Sequence, residues 1–234
     1  MSIYTISDLH LSLSIDKPMD VFGTSWENYM ERLRLNWNDI VKTNDTVIIG
    51  GDVSWATYLG ECEKDFGYIH SLNGKKIILK GNHDYWWESI SKLNNYVSSN
   101  GFESISFLYN NSYNIDGIAI CGTRGWIDPS YDSFKSDDEK IYLRELARLE
   151  LSLQSAQKFD VNEKYVFLHY PPVTKDLKIN EDYGEMFKKY GVSKCFYGHL
   201  HAKASKNALE KTVSDIEYKL VSSDYLRFIP YKIT

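Results

Sequence analysis

Ile77-Ile78-Leu79-Lys80-Gly81-Asn82-His83-Asp84 passes from an apolar run through one lysine to a glycine and three side chains of types able to bind metals or move protons. The Ile77-Ile78-Leu79 run shows no polar alternation, which predicts a short strand buried on both faces. Gly81 permits a tight turn or a close backbone approach where the chain leaves the sheet. The same grammar recurs on either side. Ile3-Tyr4-Thr5-Ile6 is followed by Asp8-Leu9-His10, and Val47-Ile48-Ile49 by Gly50-Gly51-Asp52. Downstream, Ile118-Ala119-Ile120-Cys121 is followed by Arg124 and Trp126, Tyr165-Val166-Phe167-Leu168 by His169, and Cys195-Phe196-Tyr197 by Gly198-His199-Leu200-His201.

Helical periodicity fills the intervals. Thr24 and Glu27 have the spacing of a capping box, and Trp26, Met30, Leu33, Trp37 and Ile40 follow at three- and four-residue steps. Leu59, Cys62, Phe66 and Ile69 repeat the pattern behind Ser54 as a possible N-cap. Trp86, Ile90, Leu93 and Val97 do so again, closed by Gly101. The longest series is Tyr142, Leu146, Leu149, Leu153 and Ala156. Asp128 to Glu139 reads as a solvated acidic loop that could border a site. Tyr218-Lys219-Leu220-Val221 and Leu226-Arg227-Phe228-Ile229 read as antiparallel strand pairs. No repeat, low-complexity stretch or linker divides the chain, so 1–234 reads as a single α/β domain with helices covering open sheets. In such sheets, polar residues just past the carboxyl ends of the strands form the usual site.

Composition narrows the function classes. The 234 residues carry 27 Lys+Arg against 32 Asp+Glu, a formal charge of -5, which argues against coating long nucleic acid. No apolar stretch approaches the ~18 residues of a membrane span, and the first residues lack the basic and apolar segments of a signal peptide. Cys62, Cys121 and Cys195 are odd in number and far apart, as expected of reduced thiols in a cytoplasmic protein.

Taken singly, the strand-end residues are weak signals. A D-x-H is usually a surface turn, a buried histidine is usually a hydrogen-bonded core residue, and a G-D after a strand is often only a cap. Together they require that bland explanation at five strand ends, each time for residue types that ligate divalent metals.

The order D-x-H, G-D, G-N-H-D, H, G-H-x-H resembles the signature of the calcineurin-like metallophosphoesterase superfamily, from Asp8 to His201. Leu79 to Trp87 and Cys121-Gly122-Thr123-Arg124-Gly125-Trp126 are similar to stretches of its compact predicted bacterial phosphohydrolases. The resemblance implies a four-layer αββα sandwich of two mixed sheets flanked by helices. It implies two divalent transition-metal ions (Mn, Fe, Zn, Co or Ni), with Asp8, His10, Asp52 and His201 on the first and Asp52 (bridging), Asn82, His169 and His199 on the second. Oxygen and imidazole donors suit that series of ions. A hydroxide bridging the ions would attack a phosphate ester, His83 would protonate the leaving group, and Asp84 would orient the His83 ring.

Several assignments rest on the residues alone. Arg124 offers a planar fork to a substrate phosphate and equally a partner for a structural ion pair. Trp87 is a candidate rim contact for substrate, whereas Trp86 belongs to the core. Arg144 and Arg148 read as a solvated helix face. His70, near a helix end, reads as structural. The expected partner is a small phosphorylated substrate, with neither membrane nor long nucleic acid. The alternatives are a phosphodiesterase or nuclease acting on cyclic nucleotides or short oligonucleotides, and a non-catalytic scaffold, which would be expected to have lost some of these ligands.

Overall fold

The unalternated apolar runs become parallel strands at the centres of two sheets. The computed structural model describes residues 1–234, and the chain forms two compact units, Met1–Phe107 with Val221–Thr234, and Leu108–Leu220.

In the first unit, β1 (Ile3–Ile6), β2 (Thr46–Ile49), β3 (Lys75–Ile78) and β4 (Ile105–Phe107) run parallel. A short antiparallel strand, β11 (Tyr231–Lys232), adds to the outer edge of β1 and completes the order β11-β1-β2-β3-β4. Ile6, Val47, Ile48, Ile49 and Ile78 have no exposed surface, as strands covered on both faces require. The helices are α1 (Tyr29–Ile40), α2 (Glu63–Ser71) and α3 (Ile90–Ser99). Leu33 and Trp37 of α1 and Phe66 and Ile69 of α2 are buried in the same core as Val47 and Ile49. Trp37 buries its ring while its Nε1 donates to the Asn73 carbonyl at 2.9 Å, satisfying the one polar atom it takes inside.

The second unit carries the order β5-β6-β7-β8-β10-β9. Here β6 (Ile118–Thr123), β7 (Glu163–Leu168), β8 (Lys194–Tyr197) and β10 (Ile216–Leu220) are parallel, while β5 (Tyr113–Ile115) and β9 (Thr212–Val213) are antiparallel edges. Leu149 and Leu153 of α4 (Ser136–Ser155) and Tyr183, Phe187 and Tyr190 of α5 (Glu181–Tyr190) share one core with Val166, Leu168 and Cys195. Both units are therefore mixed α/β, with two mixed sheets flanked by helices.

The structure corrects several local expectations, mostly at helix starts. The Thr24–Glu27 capping box does not form. Thr24–Trp26 is a 3-10 turn, and α1 begins after Asn28, whose backbone is left-handed. Ser54 caps no helix; its hydroxyl accepts the Ala56 N–H at 3.1 Å and donates to the buried Asp65 carboxylate of α2. The third helix starts at Ile90 behind the N-cap Ser89, so Trp86 is buried in the preceding turn and not in the helix. The acidic stretch from Asp128 is no solvated loop throughout. Asp128 is buried, and Asp137, Asp138 and Glu139 form the first turn of α4, where negative charge complements the helix dipole. Leu226–Ile229 forms a turn with Arg227 and Phe228 at positive φ, and Ile216–Leu220 pairs in parallel with β8 rather than antiparallel within the tail.

Candidate active site

Because β1, β2 and β3 are parallel and adjacent, the residues that follow them leave the same edge of one sheet. Asp8, His10, Asp52, Asn82 and His83 all lie there. The two loops after β1 and β2 remain zipped together, with Asp8 N–H donating to the Gly51 carbonyl at 2.8 Å and His10 N–H to the Asp52 carbonyl at 2.9 Å. Leu9 and Leu11 bury their side chains on the core side of this ladder.

The backbone at the acid and imidazole positions is unusual. Asp8 (φ 62°), His10 (φ 47°) and Asp52 (φ 51°) are left-handed. Such a conformation costs a non-glycine residue on the order of 1–3 kcal/mol and survives only where its surroundings over-determine it. Here they do: Ser223 Oγ donates to the Asp8 carbonyl at 2.6 Å, and Tyr29 Oη donates to the His10 carbonyl at 2.7 Å. Neither Ser223 nor Tyr29 stands out in the sequence.

Asp84 holds the loops from inside. Its buried carboxylate accepts the backbone N–H groups of Asp52 at 2.9 Å, Val53 at 2.8 Å and Gly81 at 2.7 Å, and the Trp86 indole N–H at 3.1 Å. The Asp52 carboxylate in turn accepts the His83 N–H at 2.7 Å. Asp84 thus fixes the backbone around Asp52, a task that its expected service to the His83 ring did not suggest.

In the second unit, β6, β7 and β8 are likewise parallel neighbours, which brings Arg124, His169 and His199-Leu200-His201 to one edge. His169 is fully buried, and its N–H donates to the Arg124 carbonyl at 3.0 Å. His199 is left-handed (φ 71°), and its Nδ1 faces His169 Nε2 at 3.3 Å. Tyr170 packs on the His199 ring with centroids 4.2 Å apart. His201, half-buried, precedes a short 3-10 turn at Ala202–Asn207.

The donor geometry within each unit suits metal ions. Asp8, His10, Asp52, His169 and His201 all present atoms able to hold one. Two donors on one ion, each at about 2.0–2.2 Å, are about 2.8–3.8 Å apart for bond angles from octahedral to trigonal. The His169–His199 pair falls inside that range at 3.3 Å. His10 Nε2 and Asp52 Oδ2, at 3.8 Å, lie at its upper end and beyond hydrogen-bonding reach.

Arg124 is committed to an ion pair. Its Nη2 donates to Glu145 at 3.2 Å, and its guanidinium lies 4.4 Å over the Trp126 ring. Glu145, 1% exposed, also accepts from Arg148 at 2.7 Å and from Thr123 Oγ1 at 2.6 Å. Arg148 is therefore no solvated residue, whereas Arg144 is exposed as expected. Trp87, half-buried, packs on the first unit's core beside Trp86 and Phe107, both 5.5 Å away. The aromatic beside the site is one the sequence reading passed over: Trp55 stacks on His10 at 4.7 Å and lies 4.5 Å from His83. His70 is structural: its Nδ1 pairs with Ser104 Oγ at 2.9 Å, while the end of α2 is capped by buried Lys76, whose ammonium donates to the carbonyls of Leu72 at 2.7 Å and Gly74 at 2.9 Å.

Comparison with solved structures finds the same fold at low identity. A phosphopantetheinyl hydrolase (PptH) from Mycobacterium tuberculosis aligns with TM-score 0.58 and 12% identity over 99% of this chain and 95% of its own. TT1561 of Thermus thermophilus gives 0.55 and 12% over 92% and 86%. The protein of unknown function AQ665 from Aquifex aeolicus gives 0.51 and 16% over 99% and 95%. No curated protein matches the sequence. The family model for calcineurin-like phosphoesterases, however, matches residues 1–203, and with its acids and histidines at the carboxyl edges of both sheets the chain belongs to that family.

Proposed function

We propose that residues 1–234 act as one metallophosphoesterase domain that hydrolyses a small phosphate ester at a dinuclear metal centre. Asp8, His10, Asp52 and His201 would hold one divalent transition-metal ion, and Asp52, Asn82, His169 and His199 the other. When bound, such ions acidify a water and neutralise the phosphoryl oxygens. The observation that carries the reading is the left-handed backbone at Asp8, His10, Asp52 and His199. Hairpin turns explain the same conformation at Asp116 and Asp215, but Asp8, His10, Asp52 and His199 follow parallel strands where no hairpin requires it, a costly arrangement for a purely structural purpose.

The chain's own contribution follows from the contacts. The His83 backbone N–H aims Asp52, and its half-buried imidazole would donate a proton to a departing alkoxide or phenoxide. Asp84 keeps the backbone of Asp52 and Gly81 in register while this happens. No helix is long and apolar enough to cross a membrane, and a cytoplasmic location with a small phosphorylated substrate suits the composition.

The test is elemental analysis of protein purified without added metal, followed by an ester panel on wild type and Asp52→Asn. The panel should contain monoesters, diesters and a phosphopantetheinyl ester, since the Mycobacterium tuberculosis neighbour is named for that group. Metal bound by wild type, turnover with it, and loss of both in Asp52→Asn are expected. Full activity in Asp52→Asn overturns the proposal. His83→Ala should keep its metal and slow most for esters with poor leaving groups. Equal losses across the panel would remove His83 from the role of acid. A wild type faster on diesters than on monoesters would favour the phosphodiesterase reading, and no metal-dependent turnover would favour a scaffold.

A further inference from the structure

The Trp55 indole is shared by three partners. His10 stacks on it at 4.7 Å with an interplanar angle of 22°, His83 lies 4.5 Å away, and the Lys17 ammonium sits 3.0 Å from the ring centroid. The indole is held in place by its Nε1, which donates to the sulfur of buried Met19 at 3.1 Å. Pro18, between Lys17 and Met19, limits the backbone freedom of this segment.

Lys17 is half-buried and forms no ion pair, although Asp16 and Asp20 flank it in the sequence. Its principal partner is the π face. A partly desolvated ammonium on an aromatic ring keeps most of its charge uncompensated, because a quadrupole attracts a cation without neutralising it. Lysines left to themselves reach into water; this one is turned onto the ring that carries the proposed proton donor. Tyr85, exposed and 6.2 Å from the His83 ring, adds a second aromatic surface beside His83.

We infer that Lys17 and Trp55 form a subsite for a second negative charge on the leaving group, so that the preferred substrates are phosphate esters whose leaving group carries its own phosphate or carboxylate. The inference rests on the proposed role of His83, because the group that receives the His83 proton is the group that passes Trp55. Lys17 supplies the charge contact, and Trp55 supplies a flat wall that keeps the contact beside the reacting bond. The sequence contained both residues but no spacing rule that joined them.

The test compares 3-carboxyphenyl phosphate with phenyl phosphate in wild type, Lys17→Met and Lys17→Arg, by kcat/KM and by calorimetry of the two corresponding non-hydrolysable phosphonates. Wild type should favour the carboxylated ester, mainly in KM, and Lys17→Met should lower that preference about fivefold, the worth of one partly screened ionic contact. Lys17→Arg should retain most of it. Equal losses for both esters in Lys17→Met, or no binding preference in wild type, overturn the subsite and leave Lys17 as a cover for the indole. If wild type hydrolyses neither ester, the proposed activity fails, and the calorimetric preference still decides the subsite. Binding of neither phosphonate overturns both.

Discussion

The Asp52 carboxylate occupies the space that a side chain at Gly81 would fill: a β-carbon there would lie 2.1 Å from Asp52 Oδ1 and 2.2 Å from its amide nitrogen. No rotation of a methyl group relieves such an overlap, so the loop after β3 and the loop after β2 can meet only through a glycine.

Gly81→Ala should therefore displace Asp52. A shift of about 1 Å in a reacting constellation costs on the order of a hundredfold in rate, and overpacking of this kind destabilises by about 1–3 kcal/mol. We expect reduced metal content and a fall in kcat/KM of that order. Gly60→Ala is the control, because nothing lies within 4 Å of its added β-carbon. Equal behaviour of the two variants would mean that the Asp52 loop tolerates movement.

Asp84→Asn separates two roles. An amide keeps one acceptor oxygen, so it cannot serve the N–H groups of Asp52 and Gly81 at one oxygen and those of Val53 and Trp86 at the other. Leaving buried donors unmet should lower stability by about 3 kcal/mol, read as a shift of the urea midpoint. An unchanged midpoint with reduced kcat would return Asp84 to the narrower task of orienting His83.

Glu145→Ala strands two guanidiniums at once. Removing one partner of a buried pair typically costs about 3–5 kcal/mol, and with Arg124 and Arg148 partly exposed the lower end is expected. In a double-mutant cycle, Arg124→Met should add little to Glu145→Ala in stability. A rise in KM specific to Arg124→Met, beyond what Glu145→Ala produces, would show that Arg124 also meets substrate.

The three thiols give a pH signature. Burial pushes Cys121 up to about 12, and raises Cys62 and Cys195 as well. A thiol held protonated in the fold but ionising near 9.0 when unfolded contributes stability that is complete below that value. The contribution is lost as the pH climbs above it. Thermal midpoints should therefore fall above about pH 9, with buried tyrosines such as Tyr183 adding loss of the same sign at higher pH. Ellman's reagent at pH 8 should find no reactive thiol in the folded protein and all three after denaturation. Rapid native labelling would contradict the burial of these side chains.

The parts of this molecule that the sequence discloses are those set by burial. Val47-Ile48-Ile49 and Tyr165 to Leu168 announce themselves because strands covered on both faces admit no polar alternation. Their positions in turn identify Asp52 and His169. Helix starts were less legible, since capping depends on backbone angles that composition does not express. Asn28 initiates α1 from a left-handed conformation while Thr24, the better cap by type, sits in a 3-10 turn. Helix α5 leaves little trace in the sequence, because Tyr183, Phe187 and Tyr190 are spaced among charged residues in a short segment. At the site, residue types were readable and conformations were not: nothing in Asp8-Leu9-His10 announces two left-handed residues, nor that Ser223 and Tyr29 hold their carbonyls. Contacts such as Lys17 on Trp55 join segments that no periodicity links.

The division of the chain has a consequence for its synthesis. Leu108–Leu220 is contiguous, whereas the first unit is assembled from Met1–Phe107 and Val221–Thr234. A ribosome that has reached Leu220 has supplied every residue of the later-starting unit, but not the strand that borders β1 or the hydroxyl that secures Asp8. The unit begun first is thus the one completed last. Until Ser223 emerges, the aspartate that heads the proposed ligand series lacks the hydrogen bond that steadies its strained backbone.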